Sequence, residues 1–326
     1  MIEQILKIEG LTVSKTERQG DVRLVDGIDL TLSAGQILGV AGESGCGKSL
    51  TMLSIAGLLQ PGLHTTAERL TFEGHDLLQA KSQEIRALRG RRIGFVFQDP
   101  MTSFNPVMRM GDQLVEALVY HTKIHKKAAW SEAIRLLDRV GIRDPEKRMR
   151  DYPHQLSGGM RQRCMIAMAV TCGPSLLIAD EPTTALDVTT QAEVVELIAS
   201  LQAELGLAVI WVSHDLLLLS RIATRIAVFY SGRVIELGEA ASVVSQPQHP
   251  YTKALIESIP GSGMSADKYL KAIPGTAPAP RARPVGCSFA PRCPLVQPEC
   301  TQEPPRLNPL SDGHSVACLR VERVAA

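Results

Sequence analysis

Eight consecutive residues, Gly42-Glu-Ser-Gly-Cys-Gly-Lys48-Ser49, have the types and spacing to hold a polyphosphate. Gly42, Gly45 and Gly47 let the main chain curl, so that successive N–H groups through Ser44 and Cys46 turn toward one point. A helical run over residues 50–59 follows at once, and its N-terminus adds a favourable dipole for anions. Lys48 is then placed to reach the β- and γ-phosphates of a nucleotide, and the Ser49 hydroxyl to ligate Mg²⁺. The apolar run 37–41 supplies the preceding strand that such a loop requires. Amide dipoles and Lys48 are expected to favour the thiolate of Cys46.

Two further groups fit the same chemistry. Leu176-Leu-Ile-Ala-Asp180-Glu181 is an apolar strand ending in two carboxylates. Behind a phosphate loop, Asp180 suits an indirect Mg²⁺ partner and Glu181 a base that activates water. Leu156-Ser157-Gly158-Gly159-Met160 opens a helical run over residues 161–170, which presents a second helix N-terminus to phosphate.

The elements that must position these groups follow from hydrophobic periodicity. Short apolar runs at 37–41, 93–97, 176–179, 208–212 and 226–230 alternate with helical patterns, which predicts an α/β fold with a buried parallel sheet. Val194, Leu197, Ile198, Leu201 and Leu205 recur at helical spacing and mark one crossover helix. Residues 111–150 hold helical periodicity without a strand, so a helical insertion is expected there. Prolines gather after residue 246, so the chain should become irregular, and a domain boundary is placed near residue 245.

With 326 residues, 44% of them hydrophobic, the chain can bury a substantial core. No apolar run approaches the length of a membrane span, and Met1-Ile2-Glu3-Gln4 lacks the layout of a signal peptide. A soluble protein in a reducing compartment is expected. A formal charge of +1 without a Lys/Arg block argues against a nucleic-acid partner.

LSGGM lying shortly before a strand that ends in Asp-Glu resembles the signature of ATP-binding cassette ATPases. Over residues 5–245 the other motifs of that family follow in order. Gln98 resembles the Q-loop glutamine, Ala185-Leu186-Asp187 the D-loop, and His214 in Val212-Ser-His-Asp the switch histidine. The resemblance implies a P-loop NTPase core of the ABC type over residues 1–245. It also implies a helical subdomain at about 100–165 and an irregular, Cys- and Pro-rich extension over 246–326. It implies MgATP hydrolysis, with Lys48, Gln98, Glu181 and His214 catalytic and with Ser49, Gln98 and Asp180 around Mg²⁺. Ser157, Gly158, Gly159 and Asp187 would meet nucleotide in a head-to-tail dimer with a second ATPase subunit, expected to be a different chain. Two transmembrane permease subunits, docked on residues 100–152, and a substrate-binding protein complete the implied assembly, peripheral on the cytoplasmic side of the cell membrane. Ser103-Phe-Asn105-Pro106, Gly111-Asp-Gln113 and Gln248-His249-Pro250-Tyr251-Thr252 ahead of a cysteine-containing tail resemble the oligopeptide/dipeptide/nickel importers. Peptide uptake is the expected function, with nickel import or a soluble cassette ATPase acting on DNA or the ribosome as alternatives.

Cys287, Cys293, Cys300 and Cys318 are separated by five, six and seventeen residues, without the two-residue spacing usual for structural zinc. Spacing leaves cluster, zinc and plain thiols open. Resemblance to importer subunits with cysteine-rich tails implies a [4Fe–4S] cluster, structural in role or serving as a redox sensor. Family members stack adenine on an aromatic side chain ahead of the phosphate loop, yet residues 1–71 contain no Phe, Tyr or Trp. Lys15 stands in that place, leaving aliphatic carbon or the planes of Arg18 or Arg23 to support the base. Weak discrimination between ATP and GTP is the expected outcome of competitive binding. A strong preference for ATP would require another part of the assembly to supply the platform.

Overall fold

The computed structural model describes residues 4–18, 20–184, 186–259, 272–311 and 313–321. It starts with strands β1 (Gln4–Glu17), β2 (Gly20–Ser33) and β3 (Ile37–Ala41), helix α1 (Lys48–Ile55), and strands β4 (Leu63–Thr66), β5 (Arg69–Phe72) and β6 (His75–Asp76). Next come α2 (Ser82–Leu88), β7 (Ile93–Val96), α3 (Pro100–Ser103), α4 (Met110–Thr122), α5 (Lys126–Arg139), α6 (Pro145–Arg148), α7 (Gly158–Val170), β8 (Leu176–Asp180) and α8 (Val188–Leu205). The chain ends through β9 (Ala208–Ser213), α9 (Leu216–Ile222), β10 (Arg225–Tyr230), β11 (Arg233–Glu239), α10 (Ala240–Ser245), α11 (Pro250–Glu257), β12 (Asn308–Ser311) and β13 (His314–Val316). Contacts divide it into two compact units, residues 1–79 with 211–326, and residues 80–210.

The first unit contains an antiparallel sheet ordered β2-β1-β5-β6, with β4 also paired to β1. Sequence periodicity misses β1 because its register shifts between Ile8 and Leu11, at Gly10 with φ +64°. That bulge changes the spacing of the buried residues Leu6, Ile8, Leu11 and Val13 from two to three and back. In the same unit β3 and β10 are parallel, and β10, β11, β13 and β12 follow in antiparallel pairs. All five β3 residues are buried, in keeping with a strand covered on both faces.

In the second unit β7 and β8 pair in parallel, Ile93 opposite Leu176 and Val96 opposite Ala179. Helix α7 passes close over β7, where a Cβ on Gly94 would stand 2.3 Å from the Ala169 carbonyl oxygen. Among the described residues no strand lies between Val96 and Leu176, so the expected helical insertion is present as α3 to α7. The crossover helix is α8, with Val194, Ile198 and Leu201 buried.

After residue 246 the chain is less irregular than expected. The β12–β13 hairpin joins the first unit through Glu236 opposite Val316 and Leu237 opposite Ser315, so contacts do not set the tail apart at residue 245. Its anchor is the fully buried carboxylate of Glu236. That group accepts the N–H groups of Gln248 (2.7 Å) and His249 (2.9 Å) and lies 2.9 Å from His314 Nε2. A buried carboxylate is tolerated only with such partners. Tyr230, Tyr251, Phe289 and His249 pack ring on ring beside it.

His249 is 1% exposed, and its Nδ1 accepts the Tyr251 N–H at 3.0 Å, capping α11. Burial lowers its pKa to about 4, against the opposing pull of Glu236. An unfolded histidine titrates near 6.5, so between about pH 6.5 and 4 the unfolded chain binds a proton that the folded chain refuses. Stability therefore falls as pH drops through that window, by at most ~1.4 kcal/mol per pH unit from this group. His249→Asn retains a cap acceptor. Thermal melts should show a smaller loss of Tm from pH 7 to pH 5 in this variant than in the wild type.

Candidate functional site

In the first unit, the phosphate-type loop turns between β3 and α1 on three glycines with positive φ: Gly42 (147°), Gly45 (76°) and Gly47 (103°). Gly42 admits no side chain, because a Cβ there would stand 2.3 Å from the Phe229 carbonyl oxygen and 2.8 Å from Cys46 Sγ. Lys48 is 4% exposed and folds back over the loop, its Nζ donating to the Gly42 (2.7 Å) and Glu43 (3.0 Å) carbonyls. Ser44 and Gly45 are exposed, and Ser49 at the helix start is half-buried.

Cys46 corrects the sequence-based expectation. Its side chain is 3% exposed, and burial raises the thiol above its ordinary pKa despite Lys48 Nζ at 3.8 Å. Loss of solvation outweighs the nearby cation, so Cys46 is a buried thiol rather than a thiolate.

His214 lies exposed beyond β9. The adjacent Asp215 fixes the turn by donating its N–H to Ser213 Oγ (3.0 Å) and accepting the N–H groups of Leu217 (2.9 Å) and Leu218 (3.0 Å). Lys15 is exposed on β1 and paired with Glu17 at 3.2 Å, while Arg23 on β2 pairs with Asp26 at 3.1 Å. Arg281 of the tail also pairs with Glu17.

The second unit brings Gln98 and Glu181 together, with Gln98 Nε2 donating to Glu181 Oε2 at 3.1 Å. Thr184 Oγ1 donates to the same oxygen at 2.9 Å, a contact no sequence motif singles out. Asp180 is 6% exposed at the end of β8, and Glu181 follows with φ +48°.

Ser157 caps α7, its Oγ accepting the Met160 N–H at 3.3 Å. Asp187 caps α8 by accepting from Thr190 N–H (3.0 Å) and Thr190 Oγ1 (2.8 Å), and these bonds hold its carboxyl below the usual range. A Cβ on Gly159 would stand 3.0 Å from Thr190 Cγ2. Ser157, Gly158, Gly159 and Asp187 thus share one cleft of about 500 Å³, also lined by Arg143, Arg148 and Arg163. Main-chain donors at a helix start among three guanidinium groups suit phosphate. Ala185 lies outside the described residues.

Cys287, Cys293, Cys300 and Cys318 line a common small pocket with His249 and Phe289. Burial raises the thiols of Cys287, Cys293 and Cys318. Among the described residues, however, no group of three or more His, Cys, Asp or Glu side chains is arranged to hold a metal ion. The donor types fit an iron–sulfur cluster, while the arrangement itself gives no metal site.

The family described as "ABC transporter" matches residues 25–184, and that described as "Oligopeptide/dipeptide transporter, C-terminal region" matches residues 235–300. Dipeptide transport ATP-binding protein DppD of Bacillus subtilis is 46% identical over 318 residues, covering 97% of this chain and 95% of that protein. Oligopeptide transport ATP-binding protein OppD of Escherichia coli is 42% identical, covering 98% and 94% respectively. A dimeric ATP-binding cassette, solved after hydrolysis with ADP and Pi, superposes with a TM-score of 0.65 at 24% identity over 72% of this chain and 98% of its own. For cbiO1 of Clostridium perfringens the TM-score is 0.63 at 26% identity, over 75% and 92%.

Proposed function

This chain belongs to the ATP-binding subunits of the dipeptide and oligopeptide ABC transporters, and from that membership we propose that it hydrolyses MgATP to drive peptide uptake. The observation that carries the substrate class is the match over residues 235–300, which lies outside the nucleotide motifs common to all cassettes. Two permease subunits and a substrate-binding protein are the partners implied, with a second ATPase subunit, a different chain, completing the nucleotide sandwich. Among the described residues no helix is long and apolar enough to cross a membrane. As a subunit of such a transporter its proposed position is peripheral, on the cytoplasmic face, with residues 100–152 docking on the permease.

The loop Gly42 to Ser49 cradles the phosphates, and Lys48 exchanges its two carbonyl partners for β/γ-phosphate oxygens. Ser49 and Gln98, with Asp180 as an indirect partner, would hold Mg²⁺, which would supply charge neutralisation at those oxygens. Glu181 takes a proton from the attacking water as the new P–O bond forms and the β–γ bridging bond breaks, releasing ADP and inorganic phosphate. Gln98 and Thr184 orient that carboxylate from one side. His214 donates a hydrogen bond to the γ-phosphate. Ser157, Gly158, Gly159 and Asp187 serve the nucleotide bound by the partner cassette.

Glu181→Gln should retain MgATP binding and lose hydrolysis by about 10²–10⁴-fold, the usual effect of removing a positioned base. Steady-state ATPase and labelled-dipeptide uptake by the assembled transporter test both halves of the proposal. Near-normal turnover in the variant would remove Glu181 from its role, and uptake of nickel without peptide would replace the substrate class.

For the tail, the proposal is that Cys287, Cys293, Cys300 and Cys318 ligate a [4Fe–4S] cluster in a structural role, supported by their convergence on one pocket. Binding would require loss of the thiol protons that burial now favours. Anaerobically purified protein should be brown, with about four irons per chain. A colourless protein with stoichiometric zinc would overturn the assignment.

A further inference from the structure

The second residue of the phosphate loop, Glu43, is gripped by a part of the chain that no nucleotide motif includes. Arg292, 249 positions further on, forms a two-pronged ion pair with it, Nη1 to Oε2 at 2.8 Å and Nη2 to Oε1 at 3.0 Å. The arginine side chain is 5% exposed, whereas that of Glu43 is 28% exposed. The guanidinium is itself held in place. Its Nε donates to the Pro274 carbonyl at 2.8 Å, Nη1 donates to Tyr230 Oη at 3.3 Å, and its Cζ stands 5.8 Å and 5.9 Å from the Tyr230 and Phe289 ring centroids. Glu43 is fixed at two further points, its N–H donating to Tyr251 Oη at 2.9 Å and its carbonyl accepting from Lys48 Nζ at 3.0 Å.

A carboxylate inside a polyphosphate cradle is electrostatically misplaced. Without a counter-ion it would repel the nucleotide, and a rotamer turned inward would compete for Lys48. Arg292 removes both liabilities, since the forked geometry neutralises the carboxylate and also fixes its direction. We propose that Arg292 is a positioning residue of the nucleotide site, setting MgATP affinity by holding the Glu43 carboxylate paired and turned away from the phosphates. The inference rests on reading residues 42–49 as that site. It makes affinity depend on the fold of the C-terminal tail, through side-chain geometry rather than through any contact between Arg292 and the nucleotide.

Displacement of a fluorescent ATP analogue from the full-length chain provides the test. Arg292→Ala should weaken MgATP binding by about tenfold or more, the scale of one unscreened charge pair at a partly buried site. ADP, carrying less charge, should be weakened less, and adenosine hardly at all. Arg292→Lys, which keeps the charge without the fork, should fall between. The double variant Glu43→Gln/Arg292→Ala should recover most of the lost MgATP affinity. Circular dichroism melts identify any variant that has lost its fold, and the lysine variant and the ATP/ADP comparison then carry the decision. Unchanged affinity in Arg292→Ala would overturn the inference. So would an equal loss for ATP, ADP and adenosine that Glu43→Gln does not relieve, since Arg292 would then merely hold the tail in place. A wild-type chain that fails to bind MgATP would instead overturn the assignment of residues 42–49.

Discussion

The arrangement of the first unit depends on one buried carboxylate. Glu236 has no exposure to solvent, and the cost of placing it there is offset only while Gln248, His249 and His314 surround it. Those partners come from the two ends of the tail, one just before α11 and one in β13. Satisfying Glu236 therefore fixes the described tail at both of those points. Docking in turn brings Tyr251 to the backbone of Glu43 and Arg292 to its carboxylate. Loss of any one of the three partners of Glu236 would leave its buried carboxylate short of a bond, which is costlier than the net worth of that bond.

The second unit follows a different logic, in which small residues and caps set the geometry. Gly94 lets α7 lie against β7, and Ser157 and Asp187 close the first turns of α7 and α8. Glu181 takes a left-handed backbone, uncommon for a residue with a Cβ. Two hydrogen bonds to one of its oxygens help to hold it there. Strain at such a position persists where its surroundings fix the side chain.

Much of this was legible in the sequence because the signals are local. Continuous apolar runs place β3, β7, β8, β9 and β10 to within a residue or two, and spacing alone places the phosphate loop and Ser157 at helix starts. What escaped depends on distance or on competition. A bulge at Gly10 disguises β1. The prolines of the tail point to irregular chain, yet Phe289, Ala290, Cys300 and Val316 in it are all buried. Cys46 was misread because dipole and cation are visible in the loop sequence, whereas the burial that outweighs them is not. The Glu43–Arg292 pair spans 249 positions and leaves no periodic trace.

The small hairpin at the end of the tail also bears on how copies of this chain meet one another. Strand β13 pairs along β11, so it occupies a ladder of main-chain donors and acceptors that would otherwise be open to a strand from a second molecule. The outermost strand in that order is β12, four residues long, and it carries Pro309, which has no N–H to offer. A chain cut short after α10 would keep β11 and lose this cover, and its exposed sheet margin would be prone to fibrous self-association. The hairpin thus protects solubility by ending the sheet on a strand that offers a neighbour little to grip.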